Sequence, residues 1–358
     1  RARVERAKIH LRNRGIEAAD ALIAEVLAAD PENEAALLLR ASRHLALDRP
    51  DDAIEDLRTA LDVAPDNVQV TLLLATAYER NGNAALAQER LAEAVQLSDY
   101  DVQVTLRYVQ VLVADDKLQV AESVLRQAVN QRGASRDLLV ALGQIKLRRQ
   151  AWREAEGVAA ELRRLDPEDE VAARLEAAAL LGQRRAEEGT EILSDLLDRD
   201  ADDPSNLVSF VRALIAGGDI ERAGDFLDQR LQENPDDVPA LLLSASINSA
   251  LGELDAAEAS LKRVIELQPA NGQAYAALAR IYNSQGRTDL VTETLEGAAE
   301  VSDDPQLRLT KAMQLEFEQR YDEALEVYHE LYREQPNSVI VANNLASLLA
   351  THRADDPA

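Results

Sequence analysis

Residues 65–98 read PDNVQVTLLLATAYERNGNAALAQERLAEAVQLS, and this stretch decides the fold. Ala87 and Leu91 lie four residues apart, which places both on one face of an α-helix. Gly82 and Asn83 form a turn signal between two apolar segments, and Pro65 marks a turn before the first of them. The stretch therefore predicts a helix, a tight turn and a second helix.

The same signals return every 34 residues along the chain. Five of the eleven prolines share one phase of this period: Pro31, Pro65, Pro167, Pro235 and Pro269. A small residue recurs twelve residues before each turn: Ala19, Ala53, Ala87, Ala121, Ala155, Gly189, Ala223, Ala257, Val291 and Ala324. Small side chains let two helix backbones approach closely. Each repeat is therefore predicted to be a helical hairpin.

These markers resemble the tetratricopeptide repeat, a 34-residue unit with a Trp/Leu-Gly/Ala-Tyr pattern in its first helix and an Ala-Phe-Ala-Pro pattern in its second. The clearest copies contain Ala75 with Tyr78, and Tyr275 with Ala279 and Tyr282. The resemblance covers essentially the whole chain. It implies an all-α fold, a right-handed superhelical solenoid of about ten helical hairpins. Only five of the 39 basic residues are lysines, which suggests GC-rich coding and a bacterial protein.

The nearly unbroken phase predicts one continuous array over residues 1–358. The approximate repeats are 1–33 (partial), 34–67, 68–101, 102–135, 136–169, 170–203, 204–237, 238–271, 272–304, 305–338 and 339–358 (incomplete). Neither end has the polar capping helix that such arrays need. We therefore expect a fragment of a longer protein, whose apolar segment 339–350 self-associates or is covered by a neighbour.

Charge and composition restrict the classes of partner. The net charge is −26 and the isoelectric point is about 4.6, so most of the molecule repels nucleic-acid phosphates and anionic membrane surfaces. No apolar run has the length of a membrane span, so no direct membrane insertion is expected. The absence of cysteine excludes disulfides and thiolate metal sites. The compartment stays open between cytoplasm and periplasm, with the periplasm or envelope favoured.

Catalytic motifs are absent from the sequence. No P-loop, GxGxxG, HExxH or GxSxG pattern occurs, and the four histidines lie in different repeats. Carboxylates spaced four apart, such as Asp52 and Asp56, are interpreted as the solvated outer faces of second helices. We therefore predict no catalytic residue, no metal site and no cofactor, and we do not expect an enzyme.

The resemblance implies that the first helices line a concave groove in which a protein or peptide partner lies. The residues predicted to line it are Leu38, Leu72, Leu106, Val113, Val140, Leu147, Arg174, Val208, Arg212, Ile215, Leu242 and Arg280. One interpretation is an apolar groove for a partner helix or extended peptide. The alternative is that these side chains are half-buried between neighbouring first helices.

Two arginines stand out in this predicted groove. Arg174 and Arg212 come from successive repeats, and together they would hold a carboxylate if they lie side by side. They would equally well pair with nearby glutamates. The lysine and asparagine clamp of some tetratricopeptide co-chaperones is not found at these positions, which disfavours a chaperone-tail site.

Three functions follow from this interpretation. The first is a non-catalytic scaffold for protein–protein interaction. The second is an envelope assembly or export factor for exopolysaccharide or surface proteins, because residues 343–350 resemble such tetratricopeptide proteins. The third is the regulatory arm of an enzyme whose catalytic domain lies outside this sequence.

Overall fold

The computed structural model describes residues 2–336 and 338–352 of the 358-residue chain. Within these residues the chain is all-α and contains no strand, as predicted. The helices are α1 (Ala2–Arg12), α2 (Ile16–Ala29), α3 (Glu34–Ala46), α4 (Pro50–Val63), α5 (Val68–Arg80), α6 (Ala84–Leu97), α7 (Val102–Ala114), α8 (Leu118–Arg132), α9 (Arg136–Arg148), α10 (Trp152–Leu165), α11 (Glu170–Gly182), α12 (Ala186–Arg199), α13 (Pro204–Ala216), α14 (Ile220–Glu233), α15 (Val238–Leu251), α16 (Leu254–Leu267), α17 (Gly272–Ser284), α18 (Thr288–Val301), α19 (Pro305–Phe317), α20 (Tyr321–Glu334) and α21 (Val339–His352).

The chain forms two compact units, residues 1–189 (unit 1) and 190–358 (unit 2), and the division falls inside α12. Odd-numbered helices are the first helices of hairpins and even-numbered helices are the second. Within each unit a first helix packs against its own second helix, and that second helix packs against the next first helix. First helices also contact one another, as α3 contacts α5 and α17 contacts α19. A single array over the whole chain stays a prediction.

First helices begin at residues whose side chains cap them. The side-chain oxygen of each such residue accepts a hydrogen bond from a backbone N–H of the first turn: Asn33, Asn67, Asp101, Ser135, Asp169, Asp203, Asp237, Asn271 and Asp304. A cap of this kind contributes about 1 kcal/mol to stability. These polar residues therefore fix where the first helix of each repeat starts.

The turn inside each hairpin requires one residue with left-handed backbone. Positive φ recurs on the 34-residue period, with one repeat a residue shorter: Arg14, Asp48, Gly82, Asp116, Gln150, Arg184, Gly218, Gly252, Gly286 and Gln319. The next backbone N–H bonds back into the preceding helix, as Asn83 N donates to the Tyr78 carbonyl at 2.8 Å. The left-handed residue thus ends the first helix and turns the chain into the second.

The recurring small residues lie where the helices are closest. Ala53, Ala155 and Ala257 are completely buried, and each lies on a second helix that faces its first helix. Large apolar residues four positions on, such as Leu57 and Leu261, are buried beside them. The predicted helical-hairpin packing is confirmed.

One close contact in unit 1 depends on a glycine. Gly182 ends α11 against the ring of Trp152, which begins α10, and a Cβ on Gly182 would overlap the ring. The large aromatic side chain is half-buried there. The absence of a side chain at residue 182 therefore lets α11 approach α10.

The interpretation of Asp52 and Asp56 as a solvated pair is wrong for Asp56. Asp56 is 4% exposed and accepts hydrogen bonds from Arg40 Nε at 2.9 Å and Arg40 Nη2 at 2.5 Å. It follows the buried Ala53 by three residues, so it shares the face of α4 that packs on α3. Spacing along one helix could not show this, because the partner is on another helix.

The last helix, α21, packs against α20 and buries Val341, Leu345 and Leu348. Val339 and Ile340 at its start are 70% and 61% exposed. Self-association of this helix stays a prediction.

Candidate partner-binding site

The predicted groove residues of unit 1 lie on its first helices and are half-buried. They pack against the hydrophobic core of the unit: Leu38, Leu72, Leu106, Val113, Val140 and Leu147. Packing between neighbouring first helices, the alternative interpretation, stays a prediction. Partner contact through their exposed atoms stays a prediction.

Arg174 and Arg212 lie in different units. Arg174, on α11, is half-buried, and its Nη1 donates to Glu170 Oε2 at 3.3 Å on the same helix. Arg212, on α13, is exposed. A shared anion site of these two residues stays a prediction, and pairing with a glutamate does occur for Arg174.

Unit 2 brings two of the predicted residues together. Leu242 on α15 and Arg280 on α17 line one cavity of about 380 Å³. Val208 and Ile215 lie on α13, where Val208 is half-buried and Ile215 is 40% exposed. The cavity volume lies within the range of about 300–1,000 Å³ that is typical of ligand pockets.

The cavity between α15 and α17 has an apolar floor and a polar rim. Buried side chains of three helices form the floor: Ala245, Leu261 and Ile281. Hydroxyl and amide groups surround the opening, together with Arg280: Ser246, Ser249, Gln273 and Ser284. This arrangement accepts an apolar side chain whose backbone or neighbouring polar groups bind at the rim.

The sequence pattern found one wall of this cavity and a single residue, Arg280, of the other wall. Leu242 on α15 was predicted to line the groove, and Ser246 and Ser249 follow it on the same face of that helix. The opposite wall is a second stripe on α17, with spacings of four, three and four: Gln273, Ala277, Arg280 and Ser284. A first helix turns different faces towards the first helices before and after it. One set of residues on each helix therefore covers one wall of the cavity between two first helices. The i, i+4, i+7, i+11 spacing is the signal that would have found the other half.

Hydrogen bonds join α17 and the turn after it to α16, whose side chains also line the cavity. The Tyr282 hydroxyl donates to Glu258 Oε1 on α16 at 2.9 Å, and Arg287 Nη1 donates to Glu258 Oε2 at 3.0 Å. Burial, reinforced by Glu258, raises the pKa of Tyr282, so the phenol keeps its proton at neutral pH. These contacts thus tie α17 and that turn to α16 next to the cavity.

Arg280 is a cation without a carboxylate partner in the described part of the chain. Its guanidinium is exposed, and Nε donates to the Ala276 carbonyl on the same helix at 3.3 Å. The other residues that line the cavity carry no charge. Because the chain has a net charge of −26, an unpaired arginine at a cavity is a distinct local feature.

Metal binding and membrane insertion are two other functions on which residues 2–336 and 338–352 bear. No group of three or more histidine and carboxylate side chains in this part of the chain is placed to hold a metal ion. None of its helices combines the length and apolarity that a membrane span requires.

Stacked helical hairpins with capped first helices and a cleft between successive first helices define a helical-repeat protein of the α-solenoid class. The chain belongs to the tetratricopeptide repeat family. Two models of the tetratricopeptide repeat match residues 38–102, 180–247 and 249–313, which together make up more than half of the chain. No curated protein matches the sequence at a significant level.

Solved structures with similar folds are distant in sequence. A tetratricopeptide repeat protein from Parabacteroides merdae is 14% identical, with a TM-score of 0.50 over 68% of this chain and 97% of that chain. Naa15/Naa10 bound to HypK-THB is 13% identical, with a TM-score of 0.39 over 97% of this chain and 65% of that chain. YrrB, a repeat protein with an unusual peptide-binding site, is 15% identical, with a TM-score of 0.43 over 52% of this chain and 96% of that chain. The first similarity supports the shared fold.

Proposed function

We propose that this protein is a non-catalytic scaffold that holds a peptide or helix of a partner protein against its first helices. The single observation that carries the proposal is the cavity between α15 and α17, which combines an apolar floor with a polar, arginine-bearing rim. Such a combination suits a peptide, because side chains enter the cavity while backbone groups bind at the rim.

The alternative roles in envelope assembly or in enzyme regulation also require a bound partner protein. They differ from a general scaffold in the identity of that partner. An experiment that captures the partner at the cavity therefore tests the proposal and separates these roles.

The test uses a photo-crosslinking amino acid at Ser246, which is exposed on α15 and lines the cavity. The matched control carries the same amino acid at Ala256, which is exposed on the second helix α16. After irradiation in an extract of the source cells, we expect a defined set of proteins crosslinked at residue 246 and not at residue 256. Equal crosslinking at both positions, or crosslinking at residue 256 alone, contradicts the proposal.

A further inference from the structure

The negative charge of unit 2 is concentrated on its second helices. Helices α14, α16, α18 and α20 carry sixteen acidic and five basic residues. The first helices α13, α15, α17 and α19 carry one acidic residue and four basic ones: Glu316, Arg212, Arg280, Arg308 and Lys311. The net charge of −26 therefore does not describe the face on which the cavity lies.

The arginines of this face differ in whether the fold already neutralises them. Arg308 donates to Glu334 at 2.7 Å and to Glu330 at 2.9 Å. Arg212 and Arg280 have no carboxylate partner among the described residues, and both are exposed. A carboxylate that arrives from outside can therefore bind Arg280 without displacing an internal ion pair.

The equivalent positions one helix further along unit 2 are apolar and exposed. Arg280 and Ser284 are the ninth and thirteenth residues of α17, and Met313 and Phe317 hold these places in α19. Met313 is 53% exposed and Phe317 is 72% exposed. Since α17 packs on α19, the cation and the two apolar side chains belong to neighbouring helices of one layer.

The distance between these features restricts the ligand. Packed helices are about 8–10 Å apart. An extended chain advances about 3.3 Å per residue, so a peptide that crosses from α17 to α19 uses about three residues. A carboxylate on Arg280 and an apolar side chain on Met313 and Phe317 are then about three positions apart in the same peptide.

We propose that the first helices of unit 2 bind an extended acidic segment of a partner protein. One carboxylate of the segment binds Arg280 at the mouth of the cavity, and a large apolar side chain about three residues away packs on Met313 and Phe317. This inference rests on the proposed function and specifies the chemistry of its ligand. The excess of carboxylates on the second helices disfavours binding of an acidic segment there, so the first helices are the favoured face.

The test is a selection of random twelve-residue displayed peptides on the complete chain. We expect the enriched peptides to carry Asp or Glu about three positions from Leu, Ile, Met or an aromatic residue. Arg280→Glu should weaken these peptides at least about tenfold, and a new selection on that variant should enrich Lys or Arg in place of the acidic residue. Peptides selected on Met313→Asp should lose the enriched apolar residue and keep the enriched acidic residue.

The control is Arg222→Glu, because Arg222 is exposed on the second helix α14 and the substitution changes the net charge equally. The affinity of the peptides for this variant should stay within about twofold of that for the unaltered chain, since long-range electrostatics alone contributes little at physiological salt. Unchanged thermal midpoints show that each variant is folded. If Arg222→Glu lowers the affinity of the peptides as much as Arg280→Glu does, binding at Arg280 is contradicted.

Blocking the cavity with Ser246→Trp separates the two levels of the proposal. In one outcome, the enriched peptides lose affinity for Ser246→Trp but either contain no acidic residue or still bind Arg280→Glu. The proposed acidic ligand is then wrong, and the proposed function stands. If Ser246→Trp binds every enriched peptide as the unaltered chain does, or if no peptide is enriched, both proposals fail.

Discussion

Both units contain first-helix cations with and without a carboxylate partner in the described chain, and they differ in where the cations without one lie. Arg308 of unit 2 binds two glutamates, and Arg148 at the end of α9 in unit 1 is exposed. In unit 1, Arg40 binds Asp56, Arg136 binds Asp169, and Lys146 binds Glu122. In unit 2, Arg212 and Arg280 have no carboxylate partner in the described chain. Cations bound to carboxylates join neighbouring helices, whereas unbound and exposed cations are available to a ligand. The bound cations of unit 1 therefore stabilise the repeat, and Arg280 of unit 2 leaves a site open at the cavity.

The ninth residue of each first helix shows the same difference. In unit 1, from α3 to α11, this residue is neutral: Ser42, Thr76, Gln110, Gln144 and Ala178. In unit 2, from α13 to α19, the position holds two arginines, a serine and a methionine: Arg212, Ser246, Arg280 and Met313. The same position in the repeat thus carries different chemistry in the two units.

The largest expected effect concerns the buried ion pair of unit 1. Lys146 is 2% exposed, and its Nζ is 2.5 Å from Glu122 Oε1. Lys146→Ala leaves Glu122 buried with fewer partners, so it should lower the free energy of unfolding by about 3 kcal/mol. The measurement is urea unfolding followed by far-ultraviolet circular dichroism.

Arg280→Ala in unit 2 is the control for this substitution. Because Arg280 is exposed and unpaired, its removal should change the unfolding free energy by less than about 0.5 kcal/mol. Equal destabilisation by the two variants would remove the distinction between the units.

The second prediction concerns a helix cap that also holds an arginine. Asp169 caps α11 and binds Arg136 Nε at 2.5 Å, whereas Asp304 caps α19 and accepts a hydrogen bond from the backbone of Gln306. Asp169→Ala should lower the unfolding free energy by about 2 kcal/mol, because it removes a cap and a charged hydrogen bond. Asp304→Ala should lower it by about 1 kcal/mol. Similar losses would show that Arg136 adds nothing to the cap.

The contribution of Asp169 should depend on pH. Burial raises the pKa of Asp169, but hydrogen bonds from Arg136 and from the α11 backbone outweigh burial, so its pKa lies below the ordinary value. A lowered pKa means that the stabilisation is present above the unfolded pKa of about 3.9. It is lost as the pH falls through the folded pKa. The difference in unfolding free energy between the unaltered chain and Asp169→Ala should thus be constant near neutral pH and shrink below about pH 4. A difference in unfolding free energy that grows as the pH falls would contradict this prediction.

The third prediction compares two helical glycines. Gly182→Ala in unit 1 places a methyl group in the Trp152 ring, so it should destabilise the protein by about 1–3 kcal/mol. Gly224 in α14 of unit 2 has no neighbour within 4 Å of an added Cβ. Gly224→Ala should therefore stabilise by about 0.5–1 kcal/mol, because alanine loses less backbone entropy in a helix. Thermal midpoints of both variants measure the two signs, and a shared sign would refute the packing argument.

The smallest expected effect concerns the hairpin turns. The left-handed residue is mostly not glycine in unit 1, as at Asp116, and mostly glycine in unit 2, as at Gly252. Gly252→Ala should destabilise by about 1 kcal/mol, because an L side chain crowds the following carbonyl oxygen in this conformation. Asp116→Gly should stabilise by about 0.5 kcal/mol, since it relieves the same crowding. Urea midpoints resolve both changes. If Asp116→Gly is less stable than the unaltered chain, Asp116 has a further local role.

The fold was predictable from the sequence because its signals are local and repeated. Ala87 and Leu91 share one helix face, Gly82 ends the first helix of its hairpin, and Asn67 caps that helix in the structure. Each signal acts within a few residues of the chain, and ten copies of it reinforce one another. The helices therefore fall where the 34-residue period places them.

The candidate site was predictable in part. The predicted groove residues include Leu242 on α15 and Arg280 on α17, which line the cavity. They leave out Gln273 and Ser284, which share the α17 wall with Arg280. The prediction used the same residue positions on every first helix. Two neighbouring first helices, however, contact each other through different positions. Asp56 is a second instance, because its burial depends on Arg40 of the preceding helix.

The sequence by itself determined the repeat, its helices, its turns and the residues at the helix contacts, since these depend on the spacing of residues along one chain segment. Only the tertiary structure decided which side chains meet across helices. It showed that Lys146 is bound inside unit 1 and that Arg280 is unbound beside a cavity in unit 2. The physical reason is that burial and charge pairing depend on the distance between helices, which no spacing along the sequence contains.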